Sequence, residues 1–483
     1  MNNSKNIIAA KRVAIAVATV CASLSAPAFA VDNKALLDLM LKKGVITQKD
    51  YDEFVDTTRD AEENKAFKEK RVDQDLAKAN SFIQKNAEAG QVMKNGIGIQ
   101  SADGESSIQL TGRIHMDYRN YGHTSASGSS VDPLQNALEV RRARLGVKGQ
   151  FMKDWKYEIV GNYGMSSNGM SSGATEIDVA YVDYAANPAA SVRFGKFKMP
   201  FSLEQLTSSN NIDFMERSLV GQSDKELVPG KETGLMLFGS PVAGASYAVA
   251  MSTGRGNNDA TYDKPDFLAR GTINAAKIFA GNDALVTHLG LAYSNGELKG
   301  MTPGSERDET RAMPGFFKAK TALTGPVTRQ RMGLEAAIAY EALKVQAEYF
   351  NYKYEGANQT DKFNGYYAQV VYNLTGEKHN YSNSSGTFGW IKPNQPFSLS
   401  KGGLGAWQVG LRFSAFDASD VEAASGTTNK ATAATAGLTW FVNDYARFML
   451  NYTATDFDGK AVGAAGAQIT KDRALMLRAQ LSF

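Results

Sequence analysis

The chain ends Asp472-Arg-Ala-Leu-Met-Leu-Arg-Ala-Gln-Leu-Ser-Phe483, and the reading of this stretch decides the fold. From Leu475 every second side chain is apolar (Leu475, Leu477, Ala479, Leu481, Phe483), with Met476, Arg478, Gln480 and Ser482 between them. A strand puts successive side chains on opposite faces, so this segment has one apolar face and one mostly polar face. Such a strand completes either a soluble β-sandwich or a barrel whose outer face meets lipid. The sequence upstream separates the two.

Lys5, Lys11 and Arg12 precede an apolar run from Val13 to Leu24, and Ala28-Phe29-Ala30 is a small-x-small cleavage site. Residues 1–30 therefore read as a secretory signal peptide. Cys21 is the one cysteine and lies inside it, so the mature chain offers no disulfide, thiolate ligand or cysteine nucleophile. No later segment reaches the ~18 apolar residues of a membrane-spanning helix. Crossing a membrane then requires a closed barrel, the other structure that satisfies every backbone group in lipid. The 45 Gly, 24 Phe and 20 Tyr against 12 Pro suit that architecture, whose side chains half face water. In this setting the terminal strand and Phe483 resemble an insertion signal for barrel-assembly machinery. Net charge carries little: of 53 basic residues three lie in the signal peptide, leaving 50 against 50 acidic ones. Selectivity has to rest on local placement of Arg and Lys.

Residues 31–95 differ from the rest. Leu36, Leu37, Met40 and Leu41 fall at helical spacing up to Gly44, and Thr47 to Asp50 reads as a fresh helix start. Val72, Leu76, Ala79 and Ile83 make a heptad fragment, so a periplasmic helical, coiled-coil-like segment is expected here. From residue 105 to 483 the period becomes two. Ile108, Leu110, Ile114, Met116 and Tyr118 alternate with polar neighbours, and the pattern recurs to give sixteen strands. Short connections (Met152–Asp154, Ala186–Ala190, Gly239–Gly244, Asn443-Asp444) alternate with long polar ones (Gly122–Asn136, Gly164–Thr175, Met199–Glu232, Gly254–Pro265). That asymmetry is the pattern of an all-β, sixteen-stranded, transmembrane antiparallel barrel. Thr375–Leu404 breaks the rule, since it stands where a short turn is expected. Trp155, Tyr157, Tyr163, Tyr349, Tyr366, Tyr372 and Trp440 gather at strand ends, as an interfacial girdle would.

A barrel of this size leaves an aqueous lumen, and selectivity comes from what narrows and charges it. The loop Met199–Glu232 is the expected constriction, with Phe214-Met215 as anchors to the wall. In Leu138–Lys148 the lipid-facing set is Ala143, Leu145 and Val147, which turns Arg142, Arg144, Gly146 and Lys148 inward. Arginine on the lipid face near mid-bilayer would cost ~2–4 kcal/mol, which favours this assignment. Guanidinium forks suit oxyanions. The competing reading is that these cations pair with lumenal acids such as Glu158 and Asp178 and brace the wall.

Several ordered stretches carry a family resemblance: Arg141-Arg-Ala-Arg-Leu145, Asp154-Trp-Lys-Tyr157, Arg193-Phe-Gly-Lys-Phe197, Phe201-Ser-Leu-Glu204, Glu216-Arg217, Gln346-Ala-Glu-Tyr349 and Ile391-Lys-Pro393. Through these the chain resembles the phosphate-selective porin O and P family over most of residues 105–483. The resemblance implies a trimeric outer-membrane porin whose third loop folds inward, with anions handed along basic side chains. It implies Arg141 and Arg142 as paired eyelet arginines, Asp178 as their acidic partner and Arg217 as the loop arginine. Of the family's exterior arginine row it implies Arg270, with Arg307 and Arg311 as further candidates, so the row is thin. The family's central loop lysine falls on Gln205, and two aromatic eyelet positions fall on Arg144 and Lys198, so basic charge is relocated.

The expected function is a water-filled, anion-preferring channel for passive uptake of phosphate or similar small anions across a Gram-negative outer membrane. Its partners would be those anions, outer-membrane lipid, the barrel-assembly machinery and two further copies of the chain, with no nucleic acid. The alternative is a general or sugar-type diffusion porin without phosphate specificity. Enzyme signatures are missing. His115, His123, His288 and His379 lack metal spacing, no cofactor motif occurs, and His115 with Asp117 is the one candidate pair.

Overall fold

The computed structural model describes residues 33–53, scattered helical positions between 55 and 77, and then 97–125, 136–164, 176–222, 227–254, 264–312, 315–462 and 468–483. It divides into two units, 1–88 and 89–483. In the first, helix α1 (Asn33–Lys42) ends before Gly44, whose φ of +67° suits the missing Cβ. Thr47 then opens a second helical stretch. Its hydroxyl accepts from Asp50 N at 3.2 Å while the Asp50 carboxylate accepts from Thr47 N at 3.1 Å, a reciprocal cap. The signal peptide and Val72, Ala79 and Ile83 of the heptad lie outside the described residues.

The second unit is a closed barrel of sixteen antiparallel strands, as the alternation predicts. They are β1 (Ser107–Ser125), β2 (Ala137–Phe151), β3 (Trp155–Asn162), β4 (Glu176–Asn187), β5 (Ala190–Lys198), β6 (Lys231–Gly239), β7 (Ala245–Ser252) and β8 (Asp266–Asn274). After them come β9 (Leu285–Met301), β10 (Leu323–Tyr340), β11 (Leu343–Glu355), β12 (Thr360–Asn373), β13 (Ala406–Asp417), β14 (Lys430–Phe441), β15 (Ala446–Val462) and β16 (Gln468–Ser482). Each pairs with its sequence neighbours, and β16 pairs with β1 from Ser482↔Arg113 upward to close the cylinder. A short strand, Ile97–Gln100, folds back on the start of β1.

The usual arrangement of a soluble protein is inverted. Leu138 is 72% exposed, Leu411 61% and Ile338 56%, all on the outer face. Arg119, Arg331, Arg447 and Arg478 are among the largest fully buried side chains, all pointing inward. Lipid takes the apolar face, and the enclosed face holds the charges. Of the expected girdle, Tyr163, Tyr366 and Tyr372 are exposed, and Trp407 stacks on Trp440 at 5.5 Å beside a short turn.

Three connections fill part of the lumen. The third long loop, 199–230, is pinned by Glu216 to Arg119 (2.8 Å) and Arg478 (3.0 Å) and by Asp213 to Lys344 (2.8 Å). Phe214 seats its ring against Gly410 and Gly437, each within 3.1 Å of where a Cβ would stand. The fifth loop, 302–322, enters beside it, and Glu309 holds Arg412 (2.6 Å), Ser414 (2.5 Å) and Thr435 (2.7 Å). The long connection 375–404, for which the alternation offered no place, rises from the short-turn end. Tyr381 lies 2.7 Å from His288, and Arg270 donates to the Ser385 and Gly386 carbonyls at 3.0 Å each. Lys344 stands 4.3 Å over the Phe388 ring.

Candidate functional site

These three segments pack on the lumen wall from β8 round to β16, with the third loop also reaching β1. A cavity of about 1140 Å³ remains along β1–β7. Among the described residues it is lined by thirteen cations: Arg113, Arg141, Arg142, Arg144, Lys156, Arg193, Lys196, Lys198, Arg217, Lys231, Arg270, Arg307 and Arg311. Four acids line it, Glu158, Glu176, Asp178 and Asp183. The balanced net charge of the chain conceals this local excess.

Two irregularities in the sheet place the central charges. The partners of His115 and Met116 are Arg142 and Val140, which leaves Arg141 as an extra residue in β2. Side chains before this β-bulge face out at even numbers (Leu138, Val140) and after it at odd ones (Leu145). Arg141 and Arg142 can therefore both point inward, which strict alternation forbids. Across the lumen wall the partners of Val160 and Gly161 are Val179 and Ile177, which leaves Asp178 as the extra residue in β4. Its carboxylate receives Arg144 at 2.8 Å and a close contact from Lys231.

All eight residues singled out from the sequence line this one cavity, in different roles. Arg141 reaches Glu216 at 3.3 Å, and Arg142 lies 3.4 Å from His115. Lys198 directs its ammonium to the carbonyls of Gln205 (2.6 Å), Leu206 (3.2 Å) and Thr207 (3.2 Å). Arg217 donates to the carbonyls of Glu204 (3.1 Å), Gln205 (3.3 Å) and Thr207 (3.0 Å). Both cations thus sit at the carbonyl end of the one-turn helix Leu203–Leu206. Peptide dipoles orient them without cancelling their charge. Gln205, 2% exposed, lies between them.

Arg270 corrects the expectation of an exterior row. It lies on β8 below the loops, bonded twice to Glu335 (2.9 and 2.7 Å) and capped by the 375–404 segment. Arg307 and Arg311 come from the fifth loop instead. Lys148 is exposed and takes no part in the lining. The His115–Asp117 pair separates: His115 lies 3.1 Å from Asn210, while Asp117 is held by Arg478 (2.6 Å) and Arg119 (2.7 Å).

Sequence reading missed Arg113, Lys196 and Lys231. Arg113 stands directly across from Arg144 in the β1–β2 ladder and donates to Ser209 at 2.9 Å. Its signal was available, since it shares the inward parity of His115 and Asp117. Lys231 was assigned to a loop, but it opens β6. Within the third loop, burial raises the carboxyl of Glu216, but Arg141, Arg119 and Arg478 outweigh it and hold that carboxyl well below its usual range. Burial wins at Glu204, whose carboxyl is raised despite Arg412.

A closed sixteen-stranded barrel with an apolar exterior and a charged lumen narrowed by its own loops defines an outer-membrane porin. The chain belongs to the family described as phosphate-selective porin O and P, whose model matches residues 108–483. It is similar to Porin O of Pseudomonas aeruginosa, 28% identical over 394 residues, covering 76% of this chain and 86% of that protein. An uncharacterized protein of Caulobacter vibrioides is 27% identical over 391 residues, covering 77% of this chain and 75% of its own length. Among solved structures, the anion-selective porin from Comamonas acidovorans superposes with a TM-score of 0.52 at 13% identity, covering 78% of this chain and all of that one. That likeness concerns the fold. Family and barrel together place the protein in the outer membrane of a Gram-negative bacterium, as a channel.

Proposed function

We propose that this porin is an anion-preferring channel for passive uptake of phosphate or similar small oxyanions. The observation that carries the reading is the cavity lining, thirteen cations to four acids among the described residues. Coulomb attraction is strengthened where a low-dielectric wall excludes water, so a few cations at a constriction govern the whole pore. In this reading Arg141, Arg142, Arg144, Lys198 and Arg217 form the eyelet around Gln205, Asp178 spaces the cations, and Arg270 receives the anion below. Arg307 and Arg311 collect it from outside. The chain works as a homotrimer, with residues 31–95 assisting association in the periplasm and Phe483 engaging the assembly machinery.

A second reading has one specific observation in its favour. Gln205, uncharged, occupies the place of the family's central lysine, which suits a general anion porin without phosphate specificity. The sign of the single-channel reversal potential in a KCl gradient tests the shared claim. An anionic sign is expected, and a cationic one overturns both readings. Phosphate block of the chloride current then separates them.

A further inference from the structure

The cavity that carries the cations also has an apolar wall. Inward positions of β4, β6 and β7 bring Tyr181, Met236, Phe238 and Ala248 to its lining, packed on the buried Phe197 and Leu268. A porin lumen is filled with water and lined by polar groups, so a contiguous apolar patch on the wet side of several strands is a departure that costs hydration. Two charged groups border the patch, and one is Glu158, which accepts from the Tyr181 hydroxyl at 2.5 Å. The other, Arg193, lies across the patch, 3.7 Å from the Tyr181 ring centroid and 5.2 Å from that of Phe238, but its charge is matched by Asp183 at 2.7 Å. The excess of cations over acids stands elsewhere on the same cavity, where Arg113, Arg142, Arg144, Lys198 and Lys231 line it with Asp178 among them. A volume of about 1140 Å³ far exceeds the needs of an inorganic oxyanion and reaches the range of sites for drug-sized organic ligands.

We propose that the channel carries aromatic monocarboxylates, with the carboxylate drawn by the cations and the ring passing over the Tyr181–Met236–Phe238–Ala248 wall. The proposal rests on the anion preference argued above and adds a substrate class to it. An aryl ring fits this wall better than an aliphatic chain because it can pack beside Tyr181 and Phe238 and against the Arg193 guanidinium that lies over them.

The test uses the full-length channel in planar bilayers, with block of the chloride current by benzoate compared with block by acetate. Size alone makes benzoate the poorer entrant. The apolar wall makes it the better blocker, at roughly tenfold lower concentration, the factor expected for covering about half of a phenyl ring. Phe238→Thr should collapse that difference and leave the KCl reversal potential unchanged. Ala248→Asn puts an amide into the same wall with little loss of packing and should do the same, so whichever variant inserts gives the answer. Equal block by the two carboxylates overturns the proposal, as does a benzoate preference that survives the substitutions. A cationic KCl reversal potential overturns the anion reading beneath it, an outcome visible before any carboxylate is added.

Discussion

Phe483 and Gly112 exchange backbone hydrogen bonds, Gly112 N to Phe483 O at 2.9 Å and Phe483 N to Gly112 O at 3.0 Å. The Phe483 ring fills the space above the glycine, with Cζ 2.3 Å from where a Cβ would stand. The last residue is thereby the final stitch of the β1–β16 seam. Gly112→Val should clash with that ring and open the seam. Heat-modifiable oligomer in the outer membrane should fall several-fold, as it should on deleting Phe483. Wild-type assembly in both variants would show that the seam closes without this contact.

Phe214 fastens the third loop to the far wall, its ring against Gly410 and Gly437 and 4.7 Å from the Arg412 guanidinium. Phe214→Ala should cost about 3–5 kcal/mol of docking, in the range of buried Phe truncations. Single-channel conductance should rise and its noise increase as the loop leaves the lumen. Unaltered conductance would mean that the ion pairs of Glu216 and Asp213 hold the loop alone.

Arg144 and Lys198 belong to the proposed eyelet, and Arg144 shares Asp178 with Lys231. Replacing both by Gln removes two cations and frees part of the Asp178 charge. Reversal potential in a KCl gradient should move toward zero by more than two charges alone explain. An unmoved potential would place the filter elsewhere in the lumen.

Gln205→Lys adds the central cation that the family resemblance implies, beside Lys198 and Arg217, which already occupy the nearby carbonyls. If charge has moved rather than vanished, phosphate block of chloride current should strengthen only modestly, within about threefold, since a further cation among cations is partly offset by repulsion. A gain of tenfold or more would identify the native channel as a general anion porin.

His379 lies in the 375–404 segment, 3.1 Å from the Ala342 carbonyl, and burial with Lys344 nearby lowers it from 6.5 to about 4. A depressed histidine favours the neutral folded form. Its contribution is therefore complete above pH 6.5, is lost as pH falls toward 4, and changes little below that. The heat-modification midpoint should drop across that window in the wild type, and the drop should shrink in His379→Gln. Parallel profiles for the two proteins would rule this histidine out as the cause.

The barrel was legible in the chain because lipid enforces it residue by residue. Outward side chains within the lipid span, such as Ile114 and Leu481, have to be apolar, so a period of two, read locally, counts the strands and assigns their faces. Arg142, Arg144 and Asp178 could be picked out on that basis. Tertiary structure alone decided the rest, for two reasons. A bulge changes parity without altering composition, so that Arg141 and Arg142 both face inward. What fills the lumen depends on partners far apart in sequence, such as Glu309 with Arg412 and Arg270 with the Ser385 carbonyl. No local period records such pairings. They packed the unplaced connection 375–404 into the lumen against Arg270, His288 and Lys344.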